Sequence, residues 1–298
     1  MGHKRGILGV RIVSIAVLSL GGVYLSYRYL SSVSIPVLEP KGRVALEQYH
    51  LLLFAVILSL FVVIPVFAML FGFALRYREG SHGRYEPRQA SSTRVELVWW
   101  GIPALLILVL SIVTWTSTNA LDPYRPLAPA SHTVTVDAVS LDWQWLFIYP
   151  AEHIALTNRL VIPAHENISL HITSDGPMNG LWIPQLAGQI MAMPGMETQL
   201  NILANSNGTF EGLSSNISGV GFSSMTFPTH VVSQSEFRSW AASTRNRART
   251  PLTMPSFTEL AKPRIDHAVQ YYSVPESKLF QQIIMNVMKG EGVPRVTA

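Results

Sequence analysis

The first half of the chain is organised around three apolar stretches that are separated by polar, basic segments. Residues 12–25 form the shortest stretch, residues 51–75 follow as 25 positions without a charge, and residues 97–118 complete the set. A helix of the middle length is about 37 Å long, enough to cross a hydrocarbon core of about 30 Å. We therefore predict a membrane hairpin with helices at about residues 48–76 and 96–118.

The segment ahead of this hairpin, residues 1–37, has the pattern of a targeting sequence. A basic cluster precedes an apolar stretch of the length found in secretory signals. No small-x-small cleavage site follows, and Gly21 and Gly22 stand where a lipoprotein would carry its cysteine. The segment is therefore either a cleaved signal sequence or an uncleaved N-terminal anchor.

The loop inside the predicted hairpin, which as a whole spans residues 38–120, determines the orientation of the chain. Its charges are mostly positive, with Glu79 and Glu86 opposed by Arg76, Arg78, Arg84, Arg88 and Arg94. Short loops with an excess of arginine remain in the cytoplasm. Everything that follows the second helix is therefore expected on the opposite, periplasmic side of the membrane.

From residue 130 onward, long apolar runs give way to short segments in which apolar and polar positions alternate. Val134, Val136 and Ala138 show the pattern, which has a period of two and predicts half-buried strands. Several such segments, separated by turn residues, predict an all-β sandwich over residues 130–233. Apolar residues then return at helical spacing, so residues 234–298 are predicted to form a C-terminal helical extension.

Composition narrows the range of functions. Charged residues make up 13% of the chain, about half of the ~25% found in ordinary soluble domains. The net charge of +4 comes from basic residues beside the apolar stretches, which is a topology signal, and we expect no nucleic-acid partner. The chain has no cysteine, which excludes disulfides, thiolate metal centres and thiol nucleophiles.

The segment Asp142–Trp145, with the sequence Asp-Trp-Gln-Trp, resembles the aromatic segment at the start of the cupredoxin domain in subunit II of the haem–copper oxidases. The similarity is greatest to the quinol-oxidising, cytochrome bo-type branch, and runs from about residue 38 to about residue 289; its clearest stretches are residues 120–127, 145–150, 192–196 and 219–225. The resemblance implies a membrane hairpin followed by a cupredoxin-like sandwich.

The resemblance also identifies a degenerate metal site. In copper-bearing members of the family, two histidines, two cysteines, a methionine and a glutamate carbonyl hold the two-copper centre known as copper A. The matching positions here are Asn179, Ser214, Asn216, Ser218, Phe222 and Met225. A bridged copper pair needs thiolates and imidazoles, which hydroxyls, amides and a phenyl ring cannot replace. We therefore expect no metal or other cofactor to be bound by this chain.

The resemblance implies that the chain is one subunit of a complex. This complex would be a terminal oxidase that oxidises ubiquinol, reduces oxygen to water and translocates protons across the bacterial inner membrane. Two haems and one copper are expected in subunit I, and no catalytic residue is expected in this chain. Its expected partners are subunit I by direct contact, subunits III and IV, and membrane lipid. The C-terminal domain is expected in the periplasm.

Glu96 is the candidate for a direct part in this reaction. It stands at the cytoplasmic start of the second predicted helix, where an acid is ordinarily explained by the helix dipole. By resemblance, its position matches a glutamate at the mouth of a proton-uptake path into subunit I. Trp143 matches the family's electron-entry tryptophan, and without copper we expect it to have a packing role.

Two alternative functions stay open at this point. The first is subunit II of a menaquinol oxidase with the same architecture, because quinol is expected to bind in another subunit and this sequence separates quinol types poorly. The second is a membrane-anchored cupredoxin-like module for binding or assembly, although the match through the C-terminal helices disfavours that possibility. A copper-bearing subunit of a cytochrome c oxidase is excluded by the missing cysteines.

Overall fold

The computed structural model describes residues 35–78, 92–129, 133–265, 268–275 and 278–290, together with single positions between residues 17 and 29. The predicted signal or anchor at the N-terminus lies largely outside these ranges. So do Arg84 and Arg88 of the predicted cytoplasmic loop. The hairpin helices and the sandwich lie within them.

Two long helices form the hairpin. Helix α1 spans Arg43–Arg76 and helix α2 spans Thr93–Ala120, and both continue without a break through an internal proline, Pro65 and Pro103 respectively. Each is long and apolar enough to span a membrane, and the most apolar part of each is 0% buried within the chain. With 34 residues, α1 is about 51 Å long, so its polar first turns extend beyond a hydrocarbon core of about 30 Å.

The residues that lead into α1, and Arg43 at its start, are hydrogen-bonded to the sandwich domain. The backbone N–H groups of Lys41 and Gly42 donate to the carbonyl of Gln185, at 2.7 and 2.9 Å. The first N–H groups of a helix have no acceptor within the helix. At the start of α1, backbone carbonyls of the sandwich domain accept these hydrogen bonds. A side chain at Gly42 would place its Cβ 2.1 Å from the carbonyl oxygen of Leu186. Glycine therefore permits the close approach between hairpin and sandwich.

The described part of the sandwich contains twelve strands in two sheets. The larger sheet has the order β11-β12-β3-β2-β1-β5-β8 and the smaller one β4-β10-β9-β6-β7. Strand β1 pairs in parallel with β5 and antiparallel with β2. The strands are β1 Thr133–Ser140, β2 Trp145–Tyr149, β3 Ile154–Thr157, β4 Leu160–Pro163, β5 Asn167–Ser174, β6 Asn179–Trp182, β7 Ile190–Ala192, β8 Thr198–Ile202, β9 Gly208–Ser214, β10 Thr226–Val232, β11 Thr250–Pro251 and β12 Tyr271–Ser273.

The larger sheet has an apolar core on each face. Between the sheets, Trp145, Phe147 and Phe227 form an aromatic cluster with ring centroids 4.9–6.3 Å apart. On the outer face, Leu146 and Ile148 of β2 belong to a second core that is closed by the C-terminal segment. Its helices are α3 Gln234–Arg247, α4 Met254–Leu260 and α5 Leu279–Met288.

The predicted fold class, a membrane helical hairpin with an all-β cupredoxin-like sandwich and C-terminal helices, is confirmed. The C-terminal segment also contributes β11 and β12 to the larger sheet, which the helical pattern does not predict. Strands of two and three residues offer too few positions to show a period of two. The extension is therefore an integral layer of the sandwich.

Candidate functional site

The six positions matched to the copper ligands gather at one end of the smaller sheet. Asn179 begins β6, Ser214 ends β9, and Met225 directly precedes β10, so neighbouring strands bring these three residues to the same end. Asn216, Ser218 and Phe222 lie on the connection between β9 and β10. The structure thus places all six in one loop cluster.

A hydrogen-bonded chain fills the centre of this cluster, and we name it the hydroxyl–amide network: Ser140, Asn179 and Ser214. The hydroxyl of Ser214 donates to Asn179 Oδ1 at 3.0 Å, and Asn179 Nδ2 donates to Ser140 Oγ at 2.6 Å. All three residues are buried, Asn179 and Ser140 completely. Ser140 ends β1, so the network joins the two sheets.

The other matched positions also have structural contacts. Met225 is 1% exposed and belongs to the inner core, while its carbonyl accepts the N–H of Ser214 at 3.0 Å. Asn216 Nδ2 donates to the carbonyl of Met178 at 2.7 Å. Phe222 is half-buried and begins a short 3₁₀ turn. These contacts are those of a closed loop that is held by side-chain packing and by hydrogen bonds to backbone carbonyls.

Trp143 packs directly against this loop. Its backbone has a positive φ of 68°, and a Cβ at Gly221 would come within 2.4 Å of the indole Cγ. Only glycine therefore lets the loop approach the ring this closely. The indole N–H of Trp143 and the hydroxyl of Ser218 are both buried without a partner in the described part of the chain.

The side chains at this site do not fit a bridged copper pair. Such a pair requires soft thiolates between the metal ions and imidazole nitrogens around them. The cluster offers hydroxyls, amides, one phenyl ring and the buried thioether of Met225, and its central amide, Asn179, is engaged in hydrogen bonds at both of its polar atoms.

Glu96 lies apart from this cluster, on the hairpin. It is in the first turn of α2, its side chain is exposed, and its backbone N–H donates to the carbonyl of Ser92 at 3.0 Å. The carboxylate stands at the positive end of the helix dipole. It is at the helix end that joins the arginine-rich loop.

Sequence reasoning missed a second polar cluster, on the outer face of the larger sheet. We name it the acidic patch: Asp137, His171 and Glu197. His171 Nδ1 lies 2.5 Å from Glu197 Oε1, and Asp137 of β1 stands opposite His171 of β5. Burial raises the pKa of Asp137 to about 6, although His171 acts in the opposite direction. From the sequence alone, His171 is interpreted as a surface or capping residue and not as a metal ligand, because strand register is needed to bring the three residues together.

Two protein-family models match the part of the chain that follows the hairpin. Residues 129–233 match the family model described as the periplasmic domain of cytochrome c oxidase subunit II. Residues 247–291 match the aromatic-rich motif of the same oxidases. Together with the apolar hairpin, these matches define a membrane-anchored protein of the haem–copper oxidase subunit II class, with a periplasmic domain.

The relatives then give the family. The chain is 42% identical over 273 residues to cytochrome bo(3) ubiquinol oxidase subunit 2 of Pseudomonas putida, which covers 91% of this chain and 86% of that protein. The counterpart in Pseudomonas aeruginosa is 41% identical over 256 residues, 86% of this chain and 77% of that protein. The chain belongs to the cytochrome bo(3) ubiquinol oxidase subunit 2 family, which confirms the predicted resemblance.

A solved structure is also similar. The periplasmic domain of subunit II of cytochrome oxidase from Bradyrhizobium japonicum matches with a TM-score of 0.37 and 22% sequence identity. The match covers 38% of this chain and 94% of that domain.

Proposed function

We propose that this chain is the copper-free subunit II of a terminal oxidase that oxidises ubiquinol, reduces oxygen to water and translocates protons. The hydroxyl–amide network carries the proposal, because its side chains are those of a packed core and its donor set is wrong for copper A. This chain then offers no relay for electrons from a soluble donor protein. Electrons from quinol would reach two haems and one copper, all held in subunit I.

The role left to this chain is to hold the periplasmic face of the complex together. Its hairpin has an apolar surface that is unburied within the chain, which is a surface for membrane lipid and for subunit I. Subunits III and IV complete the proposed assembly. The bonds between Lys41, Gly42 and Gln185 support a fixed angle between sandwich and hairpin, so contacts on the sandwich would be set by the position of the helices.

The proposed orientation has the sandwich in the periplasm and the arginine-rich loop in the cytoplasm of a bacterial inner membrane. Two contacts support it. The start of α1 bonds to the sandwich at Gln185, and the segment after α2 does so where Asn201 Nδ2 donates to the carbonyl of Pro123 at 3.0 Å. Both of these helix ends therefore lie on the sandwich side. In the proposed orientation, the loop that joins the other two ends would lie across the membrane, in the cytoplasm.

The test of the copper-free role is a purification of the tagged full-length chain from native membranes. We expect it to bring a haem-bearing subunit with it and to oxidise ubiquinol, while a soluble cytochrome c leaves the complex oxidised. Metal analysis of the isolated full-length chain should show no stoichiometric copper. Copper bound to the chain, or rapid reduction by the cytochrome, would contradict the proposal.

A variant with a restored donor set serves as the positive control for the metal analysis. The restored ligands should bind copper if only the donor set is missing, because the loop already brings the six positions together. Failure of this variant to bind copper while still folded would mean that the loop geometry, and not just the donor set, has been lost. The five substitutions are Asn179→His, Ser214→Cys, Asn216→Glu, Ser218→Cys and Phe222→His.

Glu96 is proposed to collect protons at the cytoplasmic mouth of an uptake path into subunit I. Its exposed carboxylate at the loop end of α2 supports this role. We expect Glu96→Gln to lower turnover and proton uptake severalfold without loss of assembly, as measured in reconstituted vesicles. Glu47→Gln is the matched control, because Glu47 lies at the opposite end of the hairpin, beside Arg43. Unchanged turnover in Glu96→Gln would rule the role out.

A further inference from the structure

Only part of the outer face of the larger sheet is covered by other elements of the described chain. The C-terminal segment packs on β2 and β3, where Leu260 and Ile283 close the second core over Ile148 and Ala155. Beyond that cover, β1, β5 and β8 continue the same face as a polar surface. A row of cross-strand neighbours crosses the boundary, from Ala155 and Ile148 through Asp137 to His171 and Gln199. The acidic patch begins where the cover ends.

Within the acidic patch, only two of the three side chains are partnered. His171 has Glu197 at Nδ1 and Ser169 at 3.3 Å from Nε2, so both of its ring nitrogens are engaged. Asp137 is half-buried, and no described residue donates a hydrogen bond to its carboxylate. The charged groups that act on Asp137 are His171, which is attractive, and Glu197, which is repulsive. The patch therefore holds two carboxylates against one imidazole.

An apolar rim adjoins these charges. Met196 directly precedes Glu197 and is 54% exposed, and Met288 at the end of α5 is 64% exposed. Gly195 joins them, because a Cβ on that residue would lie 3.1 Å from Met288 Cγ. Methionine side chains adapt to varied partners and are common on binding surfaces. Protein interfaces combine an apolar centre with a polar, solvent-accessible rim.

We propose that the acidic patch docks a basic side chain, arginine or lysine, from another subunit of the oxidase, with its N–H groups donating to Asp137 and Glu197. This inference rests on the proposed function, because it requires the complex. A partly buried carboxylate without a donor is costly unless a cation or a proton neutralises it. Arginine suits the site best, because its planar fork can bond two carboxylates at once while its stem covers the methionines.

The test measures how firmly this chain is held in the purified complex. We expect Asp137→Asn to release the chain at lower salt than wild type, with about a tenfold loss of affinity, the scale of one charge-assisted bond of about 1.5 kcal/mol. Glu211→Gln is the matched control, because Glu211 is an exposed carboxylate on β9 of the other sheet. Release of Asp137→Asn at the same salt as wild type and Glu211→Gln would overturn the proposal.

Cross-linking identifies what covers the patch. A photoreactive residue at Thr135, which is exposed and lies on the same face of β1 as Asp137, should couple to another oxidase subunit. Coupling to lipid alone would contradict the proposal.

Two further readouts separate the possible failures. The isolated Asp137→Asn chain should unfold at no lower temperature than wild type, so weaker retention would not reflect misfolding. If the wild-type chain co-purifies with a haem-bearing subunit and Asp137→Asn is held equally well, the docking proposal fails and the proposed function stands. If the wild-type chain brings no other subunit, both fail.

Discussion

Strand β1 contributes to two polar sites that differ in how their buried or half-buried polar groups obtain hydrogen-bond partners. Ser140, at its end, faces the interior and belongs to the hydroxyl–amide network, in which Asn179 uses both ends of its amide. Asp137, three positions earlier, faces outward and belongs to the acidic patch, where its carboxylate receives no hydrogen bond from the described residues. One site is closed within the chain, and the other is open.

The difference shows where each site obtains its partners. Deep in a fold, a polar group is tolerated only when its neighbours satisfy it, because water cannot reach it. The hydroxyl–amide network meets that condition with protein groups alone, so its three residues can stay ordered through their own hydrogen bonds. On an exposed face, a carboxylate can instead be paired by a residue of another chain. The first site therefore contributes to folding, and the second is suited to assembly.

The largest expected effect comes from breaking the closed site. Asn179→Ala removes the amide that joins Ser140 to Ser214, and it leaves both hydroxyls buried beside a new cavity. We expect a loss of about 2–4 kcal/mol in the free energy of unfolding, from unsatisfied polar groups and lost packing. Denaturant unfolding of the full-length chain in detergent measures it.

Asn216→Ala is the control for this measurement. Among the described residues, the side chain of Asn216 makes one hydrogen bond, to the carbonyl of Met178, at a partly exposed position. Its loss should therefore cost only about 0.5–1 kcal/mol. Equal losses in the two variants would mean that the network is no more important to stability than a surface contact.

The hairpin shows how much of the fold could be predicted from sequence. An uncharged run of 25 residues permits few alternatives, and α1 indeed covers residues 51–75. The start of α1 at Arg43 was not predictable from hydropathy. Its first turns are polar and are held by carbonyls of the sandwich, which lies about 140 residues further along the chain. Contacts between distant segments leave no periodic pattern in the sequence.

The candidate site likewise contains residues that the sequence could predict and residues that it could not. The resemblance supplied six positions, from Asn179 to Met225, because a ligand motif keeps its spacing along the chain. It did not supply Ser140, whose role follows from the approach of β1 to β6. Nor did it reveal Asp137 beside His171, because a parallel strand pair brings together residues whose distance in sequence is arbitrary. The pairing of the strands, and not the amino-acid composition, brings the residues of both sites together.

The next effect concerns the open site and depends on pH. The pKa of Asp137 is about 6 in the folded chain, against about 3.9 when unfolded. The folded state thus binds this proton more tightly, so ionised Asp137 destabilises the isolated chain above pH 6, and the penalty fades as the pH falls towards 4. We expect Asp137→Asn to be more stable than wild type above pH 6, by about 1–2 kcal/mol.

Thermal unfolding of the isolated full-length chain at a series of pH values measures this effect. Below about pH 4 the two proteins should converge, because protonated aspartic acid and asparagine are both neutral. An advantage of Asp137→Asn that stays constant across the range would show that charge is not its cause. In the assembled oxidase we expect the opposite sign, since a docked cation turns the carboxylate into a favourable group.

The smallest effect compares two serines, Ser214 and Ser218, at positions that the resemblance matches to cysteines. Ser214 donates to Asn179, whereas the buried hydroxyl of Ser218 has no partner in the part of the chain that the structure describes. Ser214→Ala should cost about 1–2 kcal/mol, because it leaves a buried amide oxygen short of a donor. Ser218→Ala removes only an unsatisfied hydroxyl, so the free energy of unfolding should stay within about 0.5 kcal/mol of wild type, on the stabilising side. Denaturant unfolding of both variants in parallel separates the two cases. If Ser218→Ala proved as costly as Ser214→Ala, the hydroxyl of Ser218 would also belong to the hydroxyl–amide network, in addition to Ser140, Asn179 and Ser214.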